Sequence, residues 1–129
     1  MVDQRTYHAS CHCGLVRFRF KSEEITRGCR CNCSICVRKG FVASAGYFAP
    51  EDLEPIEGAS FLSLYQFGDK CVNHFFCQKC GICPFQTVAG VPATYKGPAK
   101  PGYYRINLGC VRELDVFALD IGIIDGRSF

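Results

Sequence analysis

Leu15-Val16-Arg17-Phe18-Arg19-Phe20 alternates apolar and polar residues, which puts Val16, Phe18 and Phe20 on one face of a half-buried strand and Arg17 and Arg19 on the other. Six further segments are rich in aromatic or β-branched residues and are bounded by Gly, Pro or Asp: Ile25 to Cys31, Phe41 to Tyr47, Phe61 to Phe67, Val72 to Cys77, Pro84 to Val88 and Tyr103 to Leu108. Each is predicted as a strand. A helical piece is expected only at Ser34 to Lys39, with a turn at Pro50-Glu51-Asp52-Leu53, where proline suits a first helical position. Gly97 to Gly102 is a loop. The expected class is mainly β, and 129 residues suit a single domain spanning 1–129.

No basic segment followed by an apolar run opens the chain, and the most apolar stretch, Phe41 to Ala49, is far shorter than the roughly 20 residues of a membrane-spanning helix. A soluble, cytoplasmic protein with no membrane partner is expected. Against that background the 11 cysteines change the picture, because a chain this rich in cysteine is usually a secreted disulfide scaffold or a metal binder. A reducing compartment and an odd count both disfavour complete disulfide pairing.

Two constellations have metal-ligand spacing. Cys11-His12-Cys13-Gly14 opens the alternating strand and Cys77-Gln78-Lys79-Cys80-Gly81 ends a later one, so each supplies two thiolates at a chain reversal. Cys11, Cys13, Cys77 and Cys80 can close a tetrahedron around a structural zinc ion at about 2.3 Å per sulfur, while Gly14 and Gly81 accept the turn's backbone angles. His12 points away from the cysteine face in an extended C-x-C segment and is the weaker ligand candidate. A nucleobase-deaminase site would need H-x-E, which is absent.

The second constellation, Cys31-Asn32-Cys33-Ser34-Ile35-Cys36, offers three thiolates and leaves a fourth position open, as catalytic zinc requires. Cys29, on the same face as Cys31 if the strand continues, is an alternative fourth ligand that would close a structural site, and an iron–sulfur cluster would also want one more cysteine. Three thiolates leave zinc with a charge of about −1, which disfavours water activation and suits an incoming thiol. That thiol can then attack a small electrophile. Seven metal-bound thiolates and two zinc ions also cancel the formal charge of +3, so the basic balance is no argument for nucleic acid. No Walker-type loop, dinucleotide fingerprint or G-x-S-x-G is present.

Taken together, Ser10-Cys11-His12-Cys13-Gly14 with Val16-Arg17-Phe18, then Cys31-x-Cys33-x2-Cys36, then Phe76-Cys77-x2-Cys80-Gly81 resemble the glutathione-dependent formaldehyde-activating enzyme family, which also contains centromere protein V. The resemblance spans roughly residues 7 to 88. Asn32 to Cys36 and His74-Phe75-Phe76-Cys77 look closer to the centromere protein V branch than to the formaldehyde-activating branch. It implies an Mss4-like, tent-shaped β fold, a structural zinc on Cys11, Cys13, Cys77 and Cys80, and a catalytic zinc on Cys31, Cys33 and Cys36. The implied reaction makes S-(hydroxymethyl)glutathione from glutathione and formaldehyde, a carbon–sulfur lyase reaction in the reverse sense. A non-enzymatic interaction module like centromere protein V is the alternative. Arg30, Arg38 and Lys39 flank the open site as candidates for the thiol's carboxylates, or as ordinary solvated charges. His74 is either a proton-transfer group or a satisfied histidine beside the structural knuckle. Cys29, Cys71, Cys83 and Cys110 are expected to pack as small hydrophobes.

Overall fold

The computed structural model describes residues 3–128, so Met1, Val2 and Phe129 of the expected domain lie outside the described residues. Among the described residues nine strands fall into three small sheets. β1 (Arg5–Ser10) and β2 (Arg17–Ser22) form an antiparallel pair, with Tyr7 opposite Phe20 and Ala9 opposite Phe18. β3 (Arg27–Cys31) lies between β4 (Ala43–Ser44) and β9 (Asp120–Ile124), the latter pairing parallel to it. β5 (Leu62–Tyr65), β6 (Val72–Cys77), β7 (Phe85–Val88) and β8 (Tyr104–Ile106) make an antiparallel meander. The one α-helix among the described residues, α1, runs Ser34–Lys39 as the sequence predicts and stops at Gly40, whose φ of 66° is a left-handed cap.

The alternation in β2 decides where the core sits. Val16, Phe18 and Phe20 are buried while Arg17 and Arg19 face solvent, and the aromatic rings meet the other sheets. Phe18 packs edge-on against Phe85 of β7 at 5.5 Å, and Tyr7 stacks on Phe20 at 5.5 Å. Ile106, Leu108 and Val111 complete this core. Isolated bridges then tie β1 and β4 to the segment that follows Ile106, Ala9 to Val111 and Ala43 to Asn107.

The expected strand Phe41 to Tyr47 shrinks to Ala43–Ser44. Ser44 Oγ donates to the Gly46 carbonyl at 2.7 Å and accepts from Ile106 N at 3.1 Å, which bends the chain from the β3 sheet towards β8. The Pro50 turn forms as a single 3-10 turn over Pro50–Asp52. β1 and β9 were not among the predicted strands. Only Tyr7 and Ala9 of β1 are buried, and β9 is interrupted by Gly122, so neither has a strong apolar period.

Because Phe20 is 1% exposed whereas the neighbouring Arg17 side chain is 61% exposed, Phe20→Ala should cost about 3–5 kcal/mol and Arg17→Ala less than about 0.5 kcal/mol. Denaturant unfolding under reducing conditions measures both, and equal losses would contradict the assigned strand faces.

Candidate metal centres and the adjoining pocket

The β1–β2 reversal carries Cys11 and Cys13, and the β6–β7 reversal carries Cys77 and Cys80. Folding brings the two reversals together so that all four sulfurs lie within 4.8 Å of one another. Cys11 and Cys13 Sγ are 3.6 Å apart and Cys13 and Cys77 Sγ 3.7 Å, close to the roughly 3.8 Å edge of a tetrahedron with 2.3 Å zinc–sulfur bonds. Gly14 and Gly81 both have positive φ, at 83° and 77°, and their amides close the turns onto Cys11 O and Cys77 O. Val16 is buried against Cys11 and Cys77 on the inner side of the cluster.

Four thiols at this spacing cannot all ionise on their own. For Cys80, desolvation opposes ionisation but is outweighed by backbone hydrogen bonds at Cys13 and Ile82 and by the Cys77 and Cys11 thiols, lowering its pKa to about 6. Cys13 has a backbone hydrogen bond at Leu15 that favours its thiolate, yet desolvation and hydrogen bonds with Cys11, Cys77 and Cys80 raise it to about 11. A dication removes this conflict by holding every sulfur as a thiolate, so the donor set fits a soft metal such as zinc.

The second cluster forms where β3 runs into α1. Cys31 ends the strand, Cys33 precedes the helix and Cys36 lies within it, their sulfurs again within 4.8 Å of one another. At Cys33 desolvation is outweighed by the Cys36 and Ile35 amides at the start of α1 and by the Cys36 and Cys31 thiols, and its pKa falls. Cys36 is driven up to about 12 by desolvation and by the neighbouring Cys33. Cys29 is not brought into the cluster among the described residues.

The C-terminal segment pins this cluster. Asn32 Nδ2 donates to Asp125 Oδ1 at 2.8 Å, Arg127 N donates to Asn32 Oδ1 at 2.9 Å, and Asn32 N donates to Ile124 O at 3.1 Å. Between these bonds Gly126 passes so near the thiols that a Cβ there would collide with Cys31 Sγ.

The three cysteines open onto a pocket of about 380 Å³ whose walls include Phe41, Tyr47, Phe67, Cys71, His74 and Arg105. His74 is 5% exposed and its ring stacks on Phe67 at 5.7 Å. Lys39 turns inward, its Nζ 3.0 Å from His74 Nδ1 and 3.1 Å from Gln86 Oε1, with the ammonium over the Phe41 ring. An ammonium can only donate, so Nδ1 accepts and the His74 proton sits on Nε2. Desolvation, with the Lys39 charge second, lowers the His74 pKa to about 4, leaving the ring neutral at pH 7.

His74 therefore lines the pocket of the second cluster rather than standing beside the structural knuckle alone. Of the three flanking cations, Lys39 is engaged by His74 and Gln86, Arg38 donates to Ser34 O at 2.9 Å, and Arg30 lines a separate groove with His12 and Cys110. None of the three lines the cysteine pocket; Arg105 of β8 does. Cys71, half-buried, also lines that pocket. Arg105, Asp125 and Gly126 carry no local motif, and only the register of β7 with β8 and of β3 with β9 brings them here.

The sequence pattern of the glutathione-dependent formaldehyde-activating enzyme family matches residues 6–122. The chain belongs to this family. The match runs well past Val88, beyond the segment where the motifs alone carried the resemblance, and takes in β8 with Arg105. A Rhodobacter sphaeroides protein of known crystal structure is similar over 91% of this chain and 99% of its own, with 28% identity and a TM-score of 0.73. The mainly β architecture with its cysteine clusters is the Mss4-like fold expected for a member of the formaldehyde-activating family. No disulfide joins the eleven cysteines, and no described helix is long and apolar enough to cross a membrane.

Gly126→Ala should weaken cobalt binding at the three-cysteine cluster by about 10–100-fold and leave the four-cysteine cluster unchanged. Titration of the thiolate-to-cobalt charge-transfer bands reads both sites, and two undisturbed sites would contradict the packing of Gly126 on Cys31.

Proposed function

We propose that this member of the formaldehyde-activating family is a zinc-dependent carbon–sulfur lyase of the S-(hydroxymethyl)glutathione synthase type, which joins glutathione or a similar thiol to a small aldehyde such as formaldehyde. The observation that carries the reading is the difference between the clusters: four sulfurs form a complete tetrahedral set, whereas three open onto a pocket. In this reading Cys11, Cys13, Cys77 and Cys80 hold a structural zinc, and Cys31, Cys33 and Cys36 hold a catalytic one. When bound there, zinc supplies a soft Lewis acid that lowers the pKa of an incoming thiol.

The chain's own groups provide the rest. The thiol sulfur attacks the aldehyde carbon, a carbon–sulfur bond forms, the carbonyl π pair moves to oxygen, and the thiol's proton ends on that oxygen. His74, neutral with its hydrogen on Nε2, donates a hydrogen bond to the oxygen as charge develops. Lys39 fixes that tautomer from behind and never has to lose its proton. Phe41, Tyr47 and Phe67 give the pocket apolar walls, which keep the electrophile from competing water. A cytoplasmic, reducing setting keeps the eleven cysteines as thiols.

Native mass spectrometry of freshly reduced, zinc-supplied protein should show two zinc ions per chain and one glutathione retained. Cys33→Ser should keep the fold but lose the second zinc and the glutathione together. One zinc with no bound thiol in the unaltered protein would sink the lyase reading in favour of an interaction module like centromere protein V, and global unfolding of Cys33→Ser would make both metals structural.

A further inference from the structure

The thiol-site reading accounts for the cysteines and His74, but not for the cation in the same pocket wall. Arg105 stands on β8, half-buried, with its Nε donating to the Ser44 carbonyl at 2.9 Å and its guanidinium 5.1 Å from the centre of the Tyr47 ring. These two contacts fix the plane of the group and use one of its five donors. Among the described residues no ion pair involves Arg105, and no other hydrogen bond engages it. No buried side-chain nitrogen lacks a partner, so the Nη groups remain accessible rather than sealed in the core.

The rest of the pocket sharpens the point. Asp69, the carboxylate in its wall, accepts from Cys71 N at 3.3 Å and makes no ion pair with Arg105. Lys39 faces His74 and Gln86. Arg105 is thus a pre-oriented guanidinium fork left without an ion-pair partner in a pocket whose lining includes thiols and aromatic rings. A partly desolvated fork of this kind matches a carboxylate bidentately, and holding it in place beforehand reduces the entropy lost on binding.

We propose that Arg105 is the specificity-determining residue of the pocket: it binds a carboxylate of the incoming thiol and selects anionic thiols over neutral or cationic ones. The inference rests on the thiol-site reading and adds the charge class of the substrate to it. The fixed Nε–Ser44 bond and the Tyr47 ring make lysine a poor substitute, since an ammonium keeps the charge but loses the fork.

The test compares three small thiols, 3-mercaptopropionate, its neutral amide and cysteamine, on the cobalt-loaded protein. Binding is followed through the thiolate-to-cobalt absorption and corrected for the ionised fraction of each thiol. The unaltered protein should bind the carboxylate about tenfold or more tightly than the amide, with cysteamine weakest. Arg105→Met should lose that preference while its affinity for the amide changes less than about twofold. Equal binding of carboxylate and amide to the unaltered protein, or a preference that survives Arg105→Met, overturns the assignment and leaves the thiol site standing. If none of the three binds, the thiol-site reading falls and this inference with it. Should Arg105→Met fail to fold through loss of the Ser44 bond, the order of the three thiols on the unaltered protein decides the matter.

Discussion

Sulfurs held 3.6–3.7 Å apart across two chain reversals are the constraint on which the rest of the molecule depends. Cys13 and Cys77 lie 64 residues apart, and their meeting ties the β1–β2 pair to the meander. The buried Val16 beneath them leads straight into the strand whose Phe18 and Phe20 reach the main core. Uncompensated, the cluster opposes its own ionisation, with one thiol lowered to about 6 and another raised to about 11. A dication turns that repulsion into a cross-link, which a chain of this size with short strands needs more than a large domain would.

The second cluster uses the same ligand chemistry with a different scaffold. It is built from a strand end and one short helix rather than from two opposed reversals, so three sulfurs converge and the remaining side faces a pocket. Such an arrangement would be loose by itself. The Asn32–Asp125 bond and the close passage of Gly126 supply the restraint from the far end of the chain, through the parallel pairing of β9 with β3. A cluster that opens onto a pocket on one face is thereby stiffened on the other.

What was legible in the sequence follows from how local each signal is. The β2 alternation, the extent of α1 and both cysteine groups depend on spacing within a few residues, and all appear where they were expected. β9 and the shortened β4 depend on partners far along the chain, and a glycine or a serine side-chain bond interrupts their patterns. The pocket's polar groups fail for the same reason. Lys39 and Arg38 adjoin the second motif in sequence, yet one is drawn inward by His74 and the other bonds its own helix. Arg105 lies far away in sequence and reaches the pocket through the β7–β8 register.

If one metal centre is closed and the other open, the zinc K-edge fine structure of the fully loaded, reduced protein distinguishes them. With four sulfurs at one ion and three at the other, the account predicts about 3.5 sulfurs per zinc, with a lighter atom completing the average shell. Glutathione should raise the value to about 4 and remove the lighter scatterer. An average of about 4 before any thiol is added, unchanged afterwards, would mean two closed sites and would contradict the account.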